Sequence, residues 1–216
     1  MLVKDFMNAN PWTISKDRNL RETREAMLAH RVRRLPVLDG DVLVGIVTKE
    51  DVLAAGPSMV DFVSRDEFRD RLEGTYVESI MTEDPYTVNE DEPIEKAAKI
   101  MHEKKIGGLP VLRGTKLVGI ITETDIFRAF VQLMGIAVDS ERFDLDCTDP
   151  LKALDEVRKR IEARKLCPAS IIVYKPADGP RKMIVRALRE EPSPKEATAK
   201  EPQAPEKKER KEGRKK

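Results

Sequence analysis

Apolar and polar positions follow one another along this chain in an order that occurs twice. Short β-prone stretches, "PWTIS" and "PYTVN", precede segments with apolar residues at helical spacing, 19–32 and 93–106. Each helical segment leads to an apolar "LPVL", a glycine turn and a nearly continuous apolar strand, "VLVGIVT" or "KLVGIIT". A second helix then begins at "KEDVLAA" or "ETDIFRA". The pattern predicts a β-α-β-β-α unit in two copies.

The two copies align without a gap. A shift of 74 residues places 3–55 on 77–129 with 18 of 53 positions identical, which identifies an internal repeat. The sheet of such a unit has one uncovered face. We therefore expect the two copies to bury these faces against each other in pseudo-twofold fashion.

The pattern changes after the second copy. A half-buried strand is predicted at 142–147, an amphipathic helix at 149–165, and a hairpin at 169–175 and 181–188 around "PADGP". This β-α-β-β segment is too small to be stable alone, so we expect it to dimerise or to pack on the repeats. The fold class is mixed α/β (α+β). The predicted segments are repeat 1 at 1–60, a partly helical connector with repeat 2 at 61–136, the β-α-β-β segment at 137–189 and a tail at 190–216.

The tail lacks Ile, Leu, Val, Phe, Trp and Tyr, and its last ten residues hold seven Lys or Arg against two Glu. Such a segment cannot bury enough apolar surface to offset its ordering entropy, so it is predicted to be disordered. Two roles stay open for it. A basic tail can bind RNA or DNA, and a charged tail can also serve only as a solubilising end.

Composition narrows the function classes. The formal net charge of +1 gives no global field toward nucleic acid or membrane, and no apolar run is long enough for a membrane span. Two cysteines without CxxC spacing favour a reducing compartment, hence a cytoplasmic location. Neither histidine has partners at metal-ligand spacing. No P-loop, HExxH or dinucleotide fingerprint occurs, so we expect a protein that is not an enzyme and has no catalytic cofactor.

The chemistry-bearing motif is T-x-x-D, where a strand gives way to a helix: Thr48 with Asp51, and Thr122 with Asp125. Helix N-termini offer unpaired N–H groups to anions, and a carboxylate one turn along can accept hydrogen bonds from a ribose diol. These requirements together describe a nucleoside phosphate. The structural alternative is that the threonines are N-caps and the aspartates complement the helix dipole.

The repeated unit, its "LPV" strand and its G-h-h-T-x-x-D ending resemble a tandem pair of CBS (cystathionine β-synthase) domains, the Bateman module. The resemblance covers about 1–135. It implies regulation through adenosine-containing ligands such as AMP, ADP, ATP, S-adenosylmethionine or methylthioadenosine, bound in two clefts between the repeats. We also expect a homodimer that signals to a protein effector.

The resemblance also implies which residues line each cleft, with ribose and phosphate contacts from one repeat and base contacts from the other. The first set surrounds Asp51 and comprises Arg33, Arg34, Thr48, Asp51, Thr87, Val88, Ile106, Gly107 and Gly108. The second set surrounds Asp125 and comprises Thr13, Ile14, Val32, Thr122, Thr124 and Asp125.

The two copies differ at positions that set the charge of each cleft. Arg33 and Arg34 have Gly107 and Gly108 as counterparts, and guanidinium groups suit phosphate, so an anionic ligand is expected at the Asp51 cleft. This expectation requires both arginine side chains to point into the cleft. The alternative is that they are simply exposed to solvent. With two threonines but no obvious cation, the Asp125 cleft is expected to hold a nucleoside, a thionucleoside or S-adenosylmethionine.

The 142–188 segment resembles a shortened ACT domain that lacks the second helix and last strand, so we expect a dimerisation element there. The leading hypothesis is a non-enzymatic adenosine-ligand sensor. The alternative is a nucleic-acid-associated protein that uses its basic tail, with the CBS pair as modulator or dimerisation scaffold.

Overall fold

The computed structural model describes residues 1–56, 64–136 and 140–189, which divide into two compact units, Met1–Val131 and the part from Gln132 onward. The predicted tail at 190–216, with its proposed nucleic-acid role, lies outside the described residues. Residues 57–63, which span the end of repeat 1 and the start of the connector, lie outside them as well. The described part of the connector is helical, as predicted, and forms α3 (Arg65–Gly74).

Both repeats form the predicted β-α-β-β-α order, so the mixed α/β class is confirmed. The first repeat comprises β2 (Ile14–Ser15), α1 (Leu20–His30), β3 (Arg34–Asp39), β4 (Val42–Thr48) and α2 (Lys49–Ala55). The second comprises β6 (Val88–Asn89), α4 (Ile94–Lys104), β7 (Gly108–Arg113), β8 (Lys116–Thr122) and α5 (Glu123–Leu133).

A short strand ahead of each repeat crosses to the other repeat. The first, β1 (Asn8–Ala9), pairs antiparallel with β8, and the second, β5 (Thr82–Glu83), pairs antiparallel with β4. The two sheets therefore run β1-β8-β7-β6 and β2-β3-β4-β5. The sheet of each repeat thus includes a short strand from the segment that precedes the other repeat in the chain. This exchange joins the two repeats into one unit.

The glycine in each "LVGI" strand makes this exchange sterically feasible. A Cβ on Gly45 would lie 2.5 Å from the Sδ of Met81, and a Cβ on Gly119 would overlap the Sδ of Met7 in the same way. A methionine of the crossing segment thus occupies the space that any side chain at these positions would need. The two cores reflect the exchange, because Val3 packs with Leu109 and Ile121 of the second repeat, while Val77 packs in the core of the first.

The second unit has the predicted β-α-β-β order. The elements are β9 (Ser140–Asp146), α6 (Pro150–Arg164), β10 (Leu166–Tyr174) and β11 (Lys182–Arg189). The strands form one antiparallel sheet, in the order β10-β11-β9, with one helix on it. The helix buries Ala153 and Val157 against Phe143, Met183 and other apolar side chains of the sheet. Within the residues described, no helix is long and apolar enough to cross a membrane.

Candidate functional site

Strand β4 ends at Thr48, and α2 begins directly after it. The Thr48 backbone N–H and hydroxyl both donate to Oδ2 of Asp51, at 2.8 Å and 2.7 Å, and the Asp51 N–H donates back to the hydroxyl at 3.2 Å. This is a reciprocal capping box, with threonine at the N-cap and aspartate three residues later. Both side chains are only partly buried. The T-x-x-D motif is therefore a helix cap whose polar groups remain accessible.

The second copy forms the corresponding two hydrogen bonds from threonine to aspartate. The Thr122 N–H and hydroxyl donate to Oδ2 of Asp125 at 2.9 Å and 2.7 Å. The other carboxylate oxygen, Oδ1, lies 3.1 Å from the guanidinium of Arg128, which also donates to the carbonyl oxygen of Phe6. Helix capping, the structural alternative to ligand binding for this motif, is thus present in both copies. It is compatible with ligand binding, because a carboxylate can accept about four hydrogen bonds and the cap uses one oxygen.

Arg128 is the cation that the sequence analysis missed at this second cleft. Its spacing of three residues from Asp125 in a predicted helix is the signal that could have revealed it. In the first repeat the equivalent position is Ala54, so the two aspartates differ in their surroundings.

Arg34 joins the first repeat to the second. In the β3–β4 register it lies opposite Thr48, and its guanidinium donates to the backbone carbonyl of Gly107 in the second repeat. A Cβ on Gly107 would be 2.6 Å from Nη2 of Arg34, and one on Gly108 would be 2.9 Å from Nη1. The missing side chains of this glycine pair therefore create the space that Arg34 occupies. The structure brings these three predicted residues together.

The electrostatic surroundings of Arg34 are mixed. Its partial burial and the neighbouring charge of Arg33 lower its pKa, while Glu123 and Glu50 act in the opposite direction. The guanidinium remains charged at physiological pH, because the ordinary pKa of arginine lies far above neutrality. It is thus a half-buried permanent cation at the junction of the repeats, where an anionic ligand group would be favoured.

Arg33 has a different environment from Arg34. It is exposed and, with Lys49, lines a cavity between α1 and α2 of the first repeat. Arg33 lies at a bend just before β3, whereas Arg34 is the first residue of that strand. The condition that both arginines point inward is not met in this structure.

The remaining predicted residues fall into two groups. The apolar ones pack into the cores of their own repeats, so the side chains of Ile14, Val32, Val88 and Ile106 are at least partly buried there. The hydroxyl-bearing ones, Thr13, Thr87 and Thr124, are exposed or partly exposed. Within the described residues, no hydrogen bond joins Thr13 to Asp125 or Thr87 to Asp51. No group of His, Cys, Asp and Glu with metal-site geometry occurs in the part of the chain that the structure describes.

Comparison with known proteins agrees with the repeat architecture. The CBS domain family model matches residues 3–58 and 77–132, and the chain belongs to this family as a tandem CBS pair. It is 32% identical over 136 residues to a CBS domain-containing protein of Dictyostelium discoideum, covering 62% of this chain and 94% of that protein.

Two further comparisons bear on function. Inosine-5'-monophosphate dehydrogenase of Korarchaeum cryptofilum is 35% identical over 126 residues, but the match covers 58% of this chain and only 23% of that enzyme. The structure of Arabidopsis thaliana CBSX2 in complex with AMP has a TM-score of 0.53 at 30% identity, covering 61% of this chain and 97% of that one. The match to the enzyme is thus confined to a small part of that enzyme. CBSX2, which the match covers over nearly its whole length, binds AMP.

Proposed function

We propose that this protein is a non-enzymatic regulator whose CBS pair binds an adenosine-containing ligand and signals its ligand-bound state to a protein partner. The observation that carries the proposal is the T-x-x-D motif, whose threonine–aspartate hydrogen bond forms in both repeats, together with Arg34, which joins the two repeats. The AMP complex of CBSX2 supports AMP as the first ligand to test. S-adenosylmethionine and methylthioadenosine remain candidates from the sequence.

In the Asp51 cleft, Oδ1 of Asp51 and the half-buried Arg34 are the groups we assign to ligand. A ribose diol would donate to the carboxylate, and a phosphate would accept from the guanidinium and the N-terminal N–H groups of α2. In the Asp125 cleft, Arg128 already holds one carboxylate oxygen. A ribose there has to share that carboxylate with the cation or displace it, so we expect weaker ribose binding at Asp125.

Signalling requires that the ligand prefer one arrangement of the two repeats over another. Arg34 is the described contact that a ligand would alter, because a phosphate competes with the carbonyl of Gly107 for the same guanidinium. We propose that this exchange changes how the repeats are held together. The effector that responds is a protein partner.

For residues 137–189 we keep the proposal of a shortened ACT-like segment that aids association rather than binding a ligand. The three-stranded sheet with a single helix supports it, since neither a second helix nor a fourth strand is present in the described residues 140–189.

Titration calorimetry and thermal shift on the full chain test the ligand proposal, with AMP, ADP, ATP, S-adenosylmethionine and methylthioadenosine. A ligand at about 100 times its Kd adds about 2.7 kcal/mol of stability, which is on the order of 5–10 °C in Tm here. Asp51→Asn should weaken AMP binding at least ten-fold, while Asp41→Asn, in the exposed turn between β3 and β4, should not. Absence of binding across the panel would refute the proposal.

A further inference from the structure

The α1–α2 cavity of the first repeat is an apolar recess that opens to solvent. It encloses about 500 Å³. Among its apolar lining, Met27 and Val52 are each 5% exposed, whereas Leu28 and Leu53 are 67% and 62% exposed. The apolar wall therefore runs from the core of the repeat to its surface. A volume of this order is typical of sites that hold small molecules.

The charged part of the lining is entirely cationic. Four cationic side chains line the cavity: Arg24, Arg31, Arg33 and Lys49. No acidic side chain is among the described lining residues. Within the part of the chain that the structure describes, none of the four forms an ion pair. Like charges gathered around one recess repel each other, so an anion is favoured there.

The fold of a repeat does not require these cations. In the second repeat, the shift of 74 residues brings small or acidic residues to three of the four positions: Ala98, Gly107 and Glu123 in place of Arg24, Arg33 and Lys49. Helices α4 and α5 form there all the same. Lys49, moreover, is the first residue of α2, where the helix dipole disfavours a positive charge. The cations of the first repeat are therefore better explained by binding than by folding.

Charge and apolar surface are arranged in sequence along the cavity. Arg31 and Arg33 follow the last turn of α1, and the N–H of Lys49 donates to the carbonyl oxygen of Arg33 at 2.8 Å. Three of the cations thus lie where α1 ends and α2 begins. Leu28 and Leu53 lie about one turn further into their helices, three residues before Arg31 and four after Lys49. The cavity thus has a cationic end and an apolar remainder.

We propose that the α1–α2 cavity binds a small amphipathic anion, at a site separate from the Asp51 and Asp125 clefts. The apolar body lies between the helices, over Met27 and Val52, and its burial supplies affinity. The anionic head accepts charge-assisted hydrogen bonds from the side chains at the cationic end. A neutral or cationic molecule with the same apolar body is disfavoured, because the cations are then left unpaired or are repelled.

Isothermal titration calorimetry on the full chain tests the class of ligand with three probes that share one tail: octanoate, 1-octanol and octyltrimethylammonium. Octanoate should bind about ten-fold or more tightly than 1-octanol, and the ammonium should bind most weakly. The NMR methyl signal of Met27, assigned with Met27→Leu, should shift when octanoate is added. Absence of octanoate binding, equal binding of the three probes, or an unmoved Met27 signal would overturn the proposal.

The second repeat supplies substitutions that its own fold accepts. Arg24→Ala and Lys49→Glu should each lower octanoate affinity roughly five- to ten-fold and leave 1-octanol nearly unaffected. Arg21→Ala is the matched control, because Arg21 lies on the same helix but pairs with Glu25 and Glu73. Octanoate affinity that stays unchanged in Arg24→Ala and Lys49→Glu, or that falls equally in Arg21→Ala, would contradict the assignment.

Two further measurements separate this cavity from the nucleotide cleft of the proposed function. Saturating AMP and the Asp51→Asn variant should each change octanoate affinity by less than about two-fold, as expected for uncoupled sites. Displacement of octanoate by AMP would make the cavity a nucleotide site and overturn the amphiphile assignment. Because octanoate is titrated alone, its binding is decided even if AMP fails to bind the protein.

Discussion

The guanidinium of Arg34 donates a hydrogen bond to the backbone carbonyl of Gly107, a residue 73 positions later at the start of the other repeat's strand pair. The contact depends on an asymmetry between nearly identical repeats. One copy supplies an arginine, and the other supplies two glycines whose missing side chains leave room for it. The junction between the repeats is therefore polar and charged at this point, and the Arg34 side chain is half-buried there.

Arg34→Ala should lower AMP affinity about ten-fold or more, because a charge-assisted hydrogen bond contributes roughly 1.5–3 kcal/mol. Calorimetry with AMP and with adenosine measures the effect. Adenosine lacks the phosphate, so its affinity should change much less. Arg33→Ala is the matched comparison, since Arg33 lines the α1–α2 cavity instead. Equal losses for AMP and adenosine would show that Arg34 does not act through the phosphate.

Gly119→Ala should destabilise the protein by about 1–3 kcal/mol, the usual range for overpacking. Its Cβ would overlap the Sδ of Met7 and approach the carbonyl of Asn8 to 3.2 Å, which would push the crossing strand away from β8. Urea unfolding measures the loss. Gly74→Ala is the control, because a Cβ there meets nothing within 4 Å. A neutral Gly119→Ala would mean that the crossing segment moves aside at no cost.

Arg128→Ala should loosen the N-terminal segment. The side chain holds both Asp125 and the carbonyl of Phe6, so it ties α5 to the crossing segment. Removing a hydrogen bond from a charged group should cost about 1–2 kcal/mol of stability. Hydrogen exchange at residues 3–9 should accelerate in this variant. It should not change in Arg158→Ala, whose ion pairs to Asp155 and Glu162 lie within α6. Unchanged exchange in Arg128→Ala would refute the tie.

The ion pair between Glu90 and Arg113 should make the stability of the folded state depend on pH. The hydrogen bond from Arg113, at 2.9 Å from Nη2 to Oε2, lowers the pKa of the buried Glu90 carboxyl below its usual value. The folded state therefore binds this proton more weakly than the unfolded state does. The contribution is present above the unfolded pKa of about 4.3 and is lost as the pH falls through the lower folded value.

Glu90→Gln should accordingly cost stability at pH 7, and the difference from the unaltered chain should shrink as the pH falls below about 4. Urea midpoints in a pH series measure it. Glu95→Gln, at an exposed position of α4 without an ion pair to any described residue, should show no such convergence. A constant penalty for Glu90→Gln at every pH would contradict the assignment. The equivalent pair in the first repeat, Lys16 and Asp39, has the opposite polarity at 2.6 Å.

Local sequence signals predicted the repeat units well. Apolar periodicity and the glycine turns specify helices and strands over a few residues, and both copies formed the expected β-α-β-β-α order. The same holds for the strand–helix junction. A threonine followed three residues later by an aspartate forms its capping hydrogen bonds within a single turn, wherever the helix lies in the fold.

The candidate site depended on long-range packing. Nothing in the local sequence distinguishes Arg33 from Arg34, but the fold places one at the α1–α2 cavity and the other against Gly107. The crossing of β1 and β5 was not predicted either, because two-residue strands have no periodic signal of their own. The sequence by itself therefore determined the elements, the repeat and the capped motif. Tertiary structure alone decided which charged side chains meet at the junction, because those contacts join residues far apart in the chain.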